Sequence, residues 1–343
     1  MAPARGRRDL VIDRRSVLGV LSAALITPLL ALAQPVAKLP RVGMLLPGAP
    51  GNTSIQTGNS AFVPFEDQLR ERGWIEGRNI LLERRYAEEH YERYPELASE
   101  LVRLKVDVIV PAGGSASLKA AMDATKTIPI VMVASSRDPI GEGLIKSFAR
   151  PGGNVTGLVT APAEIGSKQL ELLKEAVPAL ARVGVIWDAS LGPFRVTKQV
   201  DDAARSLGLE VLGFDVRGPA DFERAIADAR KSQAGALVVS STPLLVTHRR
   251  EIADLLGKLR MPAIALWRSQ AEAGLLMTYG PSITSEFRSA AIYVDKILKG
   301  ARPGDLPVEQ PNKYDLVINM KTAKALGLSI SPSLLLRADD VIQ

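Results

Sequence analysis

One stretch, Arg150-Pro151-Gly152-Gly153-Asn154-Val155-Thr156-Gly157-Leu158-Val159-Thr160, divides the chain into two halves built on the same pattern. Before it, strand and helix patterns alternate for about 110 residues, and after it the alternation starts afresh for about 120 more. Pro151 lacks an N–H and fixes φ, so it ends a helix expected to finish near Arg150. Gly152-Gly153-Asn154 is a turn with freedom for positive φ. Val155 to Thr160 is a short extended run with a glycine inside it. Between two α/β halves, such a run is what a hinge between lobes requires. At this level one more helix-to-strand connection within a single sheet fits equally well.

The first half reads as strand Arg41–Leu46, helix Phe62–Arg72, strand Asn79–Tyr86, a helix from Tyr94 and strand Val106–Val110. Helix Leu118–Ala124, strand Ile128–Val133 and a helix from Pro139 to Arg150 follow. The second half reads as helix Ala163–Val177, strand Val183–Trp187, helix Phe194–Leu207, strand Leu209–Val216 and helix Pro219–Lys231. Strand Ala236–Ser240, helix Leu244–Arg260 and strands Ala263–Trp267 and Leu275–Tyr279 complete it. Strands separated by helices imply parallel sheets with right-handed crossovers, and uninterrupted apolar strands imply sheets covered on both faces. Two such series make two doubly wound lobes. A helix over Ser285–Lys299, a proline-marked connector, a strand over Tyr314–Met320 and a short helix over Lys321–Leu326 remain, so the chain is expected to recross between lobes.

A length of 343 residues is sufficient for two domains with their own cores. Residues 1–33 carry five arginines, then the apolar run Val17–Leu30, then Ala31-Leu32-Ala33. This is the layout of a secretory signal peptide cleaved after Ala33. Asp13-Arg14-Arg15-Ser16-Val17-Leu18 is similar to a twin-arginine signal, so the Sec and twin-arginine routes both stay open. The periplasm is the expected destination. The net charge of +6 is half contributed by that segment, where two aspartates offset the five arginines. The remainder is too mild and dispersed for a nucleic-acid partner. The absence of cysteine excludes disulfides and thiolate metal sites.

Several stretches together resemble one family: Arg72-Gly73-Trp74-Ile75-Glu76-Gly77-Arg78-Asn79-Ile80, Ala149 to Gly157, Glu272-Ala273-Gly274-Leu275-Leu276-Met277-Thr278-Tyr279-Gly280-Pro281, Asp305 to Pro311, and Asn319 to Leu328. They are similar to the substrate-binding proteins of ABC importers, in the group whose better-known members bind tryptophan or related amino acids. The resemblance extends over nearly all of the chain after residue 33. It implies the type I periplasmic binding fold, an α/β architecture of two doubly wound parallel-sheet lobes joined by a three-stranded hinge. With crossings near Val155–Thr160, Tyr279–Pro281 and Pro307–Pro311, lobe 1 is expected at 40–157 plus 282–308 and lobe 2 at 158–281 plus 309–343. It further implies a monomeric, cofactor-free receptor that closes over a small solute, an amino acid or related carboxylate, and delivers it to an ABC permease in the inner membrane. The family's segment after the strand ending at Trp187 is usually Asn-Pro-rich, whereas this chain has Asp188-Ala189-Ser190-Leu191-Gly192-Pro193.

Ligands of open parallel sheets bind beyond the carboxyl ends of the strands, where helix N-termini face the crevice. That rule selects Gly48, Gly113, Gly114, Ser115, Ser136, Asp138, Trp187, Asp188, Thr242 and Trp267; Thr160 and Tyr279, at two crossings, complete the expected ligand-binding set. Gly113-Gly114-Ser115 suits an anion, because glycines let N–H groups approach and the following helix presents its positive end; a plain turn with Ser115 capping the helix is the alternative. Asp138 fits either a ligand ammonium or the start of the next helix. Trp187 and Trp267 fit either a stacking surface at the cleft mouth or the core. The two histidines, His90 and His248, match no His-Glu-x-x-His pattern, and no nucleophile elbow or P-loop occurs. A secreted α/β enzyme acting on a small carboxylated substrate, and the effector domain of a transcription regulator, are the competing classes.

Overall fold

The computed structural model describes residues 38–50, 62–135, 139–160, 163–191 and 194–343. The chain divides into two units, Met1–Lys38 and Leu39–Gln343, and the fold below is that of the second. The expected signal peptide, Ser136 and Asp138 lie outside the described residues.

The first series runs β1 (Arg41–Leu46), α1 (Val63–Glu71), β2 (Leu81–Tyr86), α2 (Tyr94–Arg103), β3 (Val108–Pro111), α3 (Gly114–Ala124), β4 (Ile130–Ser135) and β5 (Val155–Val159). Its sheet has the order β2-β1-β3-β4-β5, with every pairing parallel. The apolar runs of β1 and β3 are buried because helices cover both faces. The edge strand β2 reads Leu-Leu-Glu-Arg-Arg-Tyr and is half-buried. There Arg84 grips Glu76 through both guanidinium nitrogens, at 2.6 and 2.8 Å, and Glu66 at 2.6 Å. Such charge on an edge discourages pairing with another chain.

The second series runs α4 (Ala163–Ala176), β6 (Arg182–Asp188), α5 (Lys198–Ser206), β7 (Glu210–Val216), α6 (Phe222–Lys231), β8 (Ala236–Val239), α7 (Pro243–Thr247), α8 (Arg249–Lys258), β9 (Ala263–Ala265), α9 (Arg268–Ala273) and β10 (Met277–Gly280). The tail adds α10 (Ile283–Leu298), β11 (Asp315–Asn319), α11 (Met320–Leu326), α12 (Pro332–Leu336) and β12 (Asp340–Ile342). The second sheet has the order β12-β11-β10-β9-β8-β6-β7. The pairing is parallel except at one place, where β10 pairs antiparallel with the tail strand β11. The chain leaves the second sheet after β10, builds α10 against the first sheet and re-enters from the same end, so β11 must run the opposite way.

Some expectations needed correction. Pro139 to Arg150 forms turns rather than a helix, with Gly143 at φ 68° and both Leu144 and Ile145 N–H bonded to the Pro139 carbonyl. Gly141 and Gly143 so close to Pro139 make a helix expensive. The helix expected from Phe194 starts at Lys198, capped by Thr197, and the helix expected over Leu244–Arg260 breaks at His248. The elements α9, α12 and β12 are too short to carry a periodic signal.

Helix α10 is the first sheet's return element. Phe287, Ala290, Ala291, Val294 and Ile297 join Val42, Phe62 and Phe65 in one core. On its flank Asp295, with only 4% of its side chain exposed, accepts from the Trp74 indole (2.8 Å), Arg72 (3.1 Å) and Lys299 (2.6 Å). Burial alone would raise its carboxyl; the bonds from Lys299, Trp74 and Arg72 outweigh that and hold it lowered. The Arg72-Gly73-Trp74 motif is thus a clasp between the α1–β2 loop and α10.

Three segments connect the sheets: β5 to α4, β10 to α10, and the connector before β11. The first and third are bonded together. Leu158 bridges Glu309, Val159 N–H donates to the Glu309 carbonyl (3.0 Å), and Glu309 N–H donates to the Gly157 carbonyl (2.9 Å). The Thr160 hydroxyl donates to Glu286 at 2.6 Å, tying the end of the first to the helix entered by the second.

Candidate functional site

The carboxyl ends of both sheets meet at a seam. From the first half come the β1 turn with buried Gly48, the Gly113-Gly114-Ser115 turn opening α3, and the segment after β2 that carries Glu88, Glu89 and Tyr91. From the second come Trp187-Asp188 at the end of β6, and Thr242 and Pro243 entering α7. The halves approach closely: a side-chain carbon placed on Gly114 would lie 3.7 Å from the Pro243 ring. Tyr91 packs against cores of both halves and stacks on Tyr94 with ring centroids 6.0 Å apart. Gly113 has to be glycine, since a Cβ there would lie 1.8 Å from the Tyr94 hydroxyl oxygen.

The seam contains buried polar groups that the protein leaves unsatisfied. Among the described residues the hydroxyls of Tyr91, Tyr94, Thr242 and Thr247 are buried without a hydrogen-bond partner. Tyr91 and Thr247 lie near each other across the seam without a well-formed bond. Burial, then the Glu89 and Asp188 carboxylates, push the Tyr91 phenol up, so it stays neutral. Asp188 is 2% exposed and its Oδ1 accepts from the N–H (3.0 Å) and hydroxyl (2.6 Å) of Ser190; no lysine or arginine pairs with it among the described residues. Buried carboxylates without a cationic partner and buried hydroxyls without bonds are both costly.

The expected residues fall into separate groups. Gly48, Gly113, Gly114, Ser115, Trp187, Asp188 and Thr242 belong to turns at the seam. In the α3 turn the Gly113 N–H is already taken by the Ser117 hydroxyl (2.9 Å), which also donates to the Gly114 carbonyl (3.0 Å), so Ser117 rather than Ser115 satisfies this helix start. Trp187 is half-buried and meets Phe194 edge-on at 6.4 Å. Thr160 and Tyr279 are placed at the crossings: Thr160 holds Glu286, while Tyr279 stacks on Tyr314 at 5.8 Å and its carbonyl accepts from Gln169 (3.2 Å). Trp267 is buried and lines a separate cavity of about 250 Å³ with Arg268, Ser269, Thr278 and Ser282. Its N–H is held by Gln270, which also accepts from Ser241.

Sequence reasoning missed Tyr91 and Thr247. The carboxyl-end rule applies equally to the segment after β2; the run Ala87-Glu88-Glu89-His90-Tyr91 carried no glycine or tryptophan to attract notice.

The family model described as ABC transporter substrate binding protein matches residues 59–342. A curated relative, the tyrosine-binding protein of Clostridioides difficile, is 30% identical over 267 residues, covering 77% of this chain and 75% of its own. A conserved domain protein from Vibrio cholerae has a similar solved structure, with a TM-score of 0.77 at 25% identity, covering 89% of this chain and 100% of that one. A Streptococcus pneumoniae ABC domain solved with L-Trp has a TM-score of 0.76 at 23% identity, with the same coverage.

Proposed function

The chain belongs to the ABC transporter substrate-binding protein family, and from that membership we propose that it is an exported receptor for an aromatic amino acid, held between its lobes and handed to a membrane permease. The family is one of solute-binding proteins, which removes the enzyme and transcription-regulator alternatives. The tyrosine-binding relative and the L-Trp complex support the aromatic class.

The observation that carries this reading is the unsatisfied chemistry of the seam. A zwitterionic amino acid supplies an ammonium for buried Asp188, and its polar atoms supply partners for the hydroxyls of Tyr91, Thr242 and Thr247. The Tyr91–Tyr94 stack and Trp187 offer aromatic surface for its ring. Gly48, Gly113, Gly114, Ser115, Ser136 and Asp138 are proposed for the first lobe's face. We take the lobes as 40–157 plus 282–308 and 158–281 plus 309–343, closing about the three crossings. Residues 1–33 direct export to the periplasm and are removed; among the described residues no helix is long and apolar enough to cross a membrane.

Calorimetric titration of the purified protein with L-tyrosine and L-tryptophan, with L-leucine as comparator, tests the proposal. One aromatic amino acid is expected to bind with one-to-one stoichiometry, to be recovered unchanged, and at 100 times its Kd to add about 2.7 kcal/mol to stability. Absence of binding by both aromatic amino acids, or preference for leucine, would overturn the proposed class.

A further inference from the structure

We infer that Glu89 and His248 form a pH-dependent latch across the mouth of the cleft, which favours the closed form when the imidazole is protonated. It rests on the two-lobe, closing reading above and not on the identity of the solute.

The position follows from the topology. In the first sheet β5, bonded to the connector, lies at one edge and β2 at the other, so the segment after β2 is as far from the crossings as the sheet allows. His248 stands at the break between α7 and α8, packed on Phe222 of α6 with ring centroids 5.5 Å apart. A contact at this distance from the hinge is broken by a small opening rotation.

The backbone aims Glu89 there. Glu88 and Glu89 are consecutive non-glycine residues at φ 55° and 67°, a region such residues seldom enter. Their N–H groups are held by the carbonyls of Gly48 (3.1 Å) and Pro47 (2.8 Å), and Arg93 lies 3.6 Å from the Glu88 carboxylate. The strained turn brings the Glu89 carboxylate to 3.6 Å from His248 Nε2, a buried nitrogen with no hydrogen-bond partner. On the other side of the ring, Nδ1 lies 3.2 Å from Glu251. One imidazole therefore stands between two carboxylates, one from each half.

Arg249 and Arg250 follow His248 at the start of α8 and are the cations nearest it in sequence. Arg249 donates to the Val246 carbonyl at 3.0 Å, Arg93 faces Glu88, Tyr91 stays neutral, Asp188 is bonded to Ser190, and α6 presents the uncharged Phe222 ring. Glu251 is on the same helix start as His248 and accompanies it whether the lobes are open or closed. Glu89 is carried by the other half, so on the closing reading an opening rotation takes it away from the ring. The closed form thus binds the proton more tightly. It is favoured at low pH, where the imidazole is protonated and pairs with both carboxylates, and that advantage is lost when the proton leaves.

The chain contains no cysteine, so dyes on Glu96→Cys in α2 and Lys231→Cys in α6, both exposed, report the lobe separation of the full protein by energy transfer. Without solute, the closed-to-open ratio is expected to rise about three- to fivefold from pH 8 to pH 5, the scale of one partly exposed ion pair. Glu89→Gln and His248→Gln should each flatten the response, and the double variant should match either single one. Glu89→Gly, which relieves the left-handed strain, should stay folded and also be flat. A pH-insensitive parent, or a response that survives in either charge variant, would overturn the latch. Failure of L-tyrosine and L-tryptophan to bind would count against the proposed solute and leave this readout decisive.

Discussion

Gly157→Ala is expected to cost about 3 kcal/mol or more in chemical denaturation, the combined scale of backbone strain and overpacking. Gly157 lies in β5 at φ 118°, and a Cβ there would sit 2.3 Å from the Met132 carbonyl oxygen and 2.6 Å from its nitrogen. Those are backbone atoms of the neighbouring strand, so no rotamer change relieves the contact. The two strands must part, and the Glu309 N–H bond that ties the connector to Gly157 is strained with them. Gly153→Ala is the control: no heavy atom lies within 4 Å of its Cβ position, and its stability should be that of the parent. Equal stability of the two variants would show that β4 and β5 are not packed as described.

Thr242→Val should leave the free protein as stable as the parent, because its hydroxyl has no protein partner to lose. The same substitution should weaken solute binding about tenfold, or about 1.4 kcal/mol. Tyr91→Phe should behave alike, and the pair together should weaken binding about a hundredfold, provided their effects add. Unchanged stability with weakened affinity marks a group kept for a ligand. A hydroxyl that merely packs would leave binding unchanged, and that result would remove these residues from the site.

The fold was readable wherever elements were long and apolar. β1, β3, β6, β8 and α4 appear close to where their patterns put them, as does the return helix α10. The misreadings have local causes. Pro139 to Arg150 contains enough apolar residues to look helical, yet Gly141 and Gly143 favour turns. Phe194 lies before the helix, which starts at Lys198, and packs edge-on against Trp187. The antiparallel β10–β11 pair depends on where α10 docks, which no local pattern encodes.

The site was less accessible for a physical reason. The carboxyl-end rule found turns, and turns advertise themselves through glycine, proline and tryptophan. It could not separate those at the seam from those at the crossings, where Thr160 and Tyr279 have structural partners. Nor could it find Tyr91, whose importance comes from packing on both halves and from an unsatisfied hydroxyl. Both are properties of two distant segments brought together.

Small-angle scattering with and without saturating L-tyrosine or L-tryptophan tests the central claim of closure around a solute most directly. The free protein should have a radius of gyration larger than that of the arrangement described here, in which Gly114 approaches Pro243, and bound solute should reduce it to that of the closed form. A radius unchanged at saturating solute, with binding confirmed in the same sample, would contradict it.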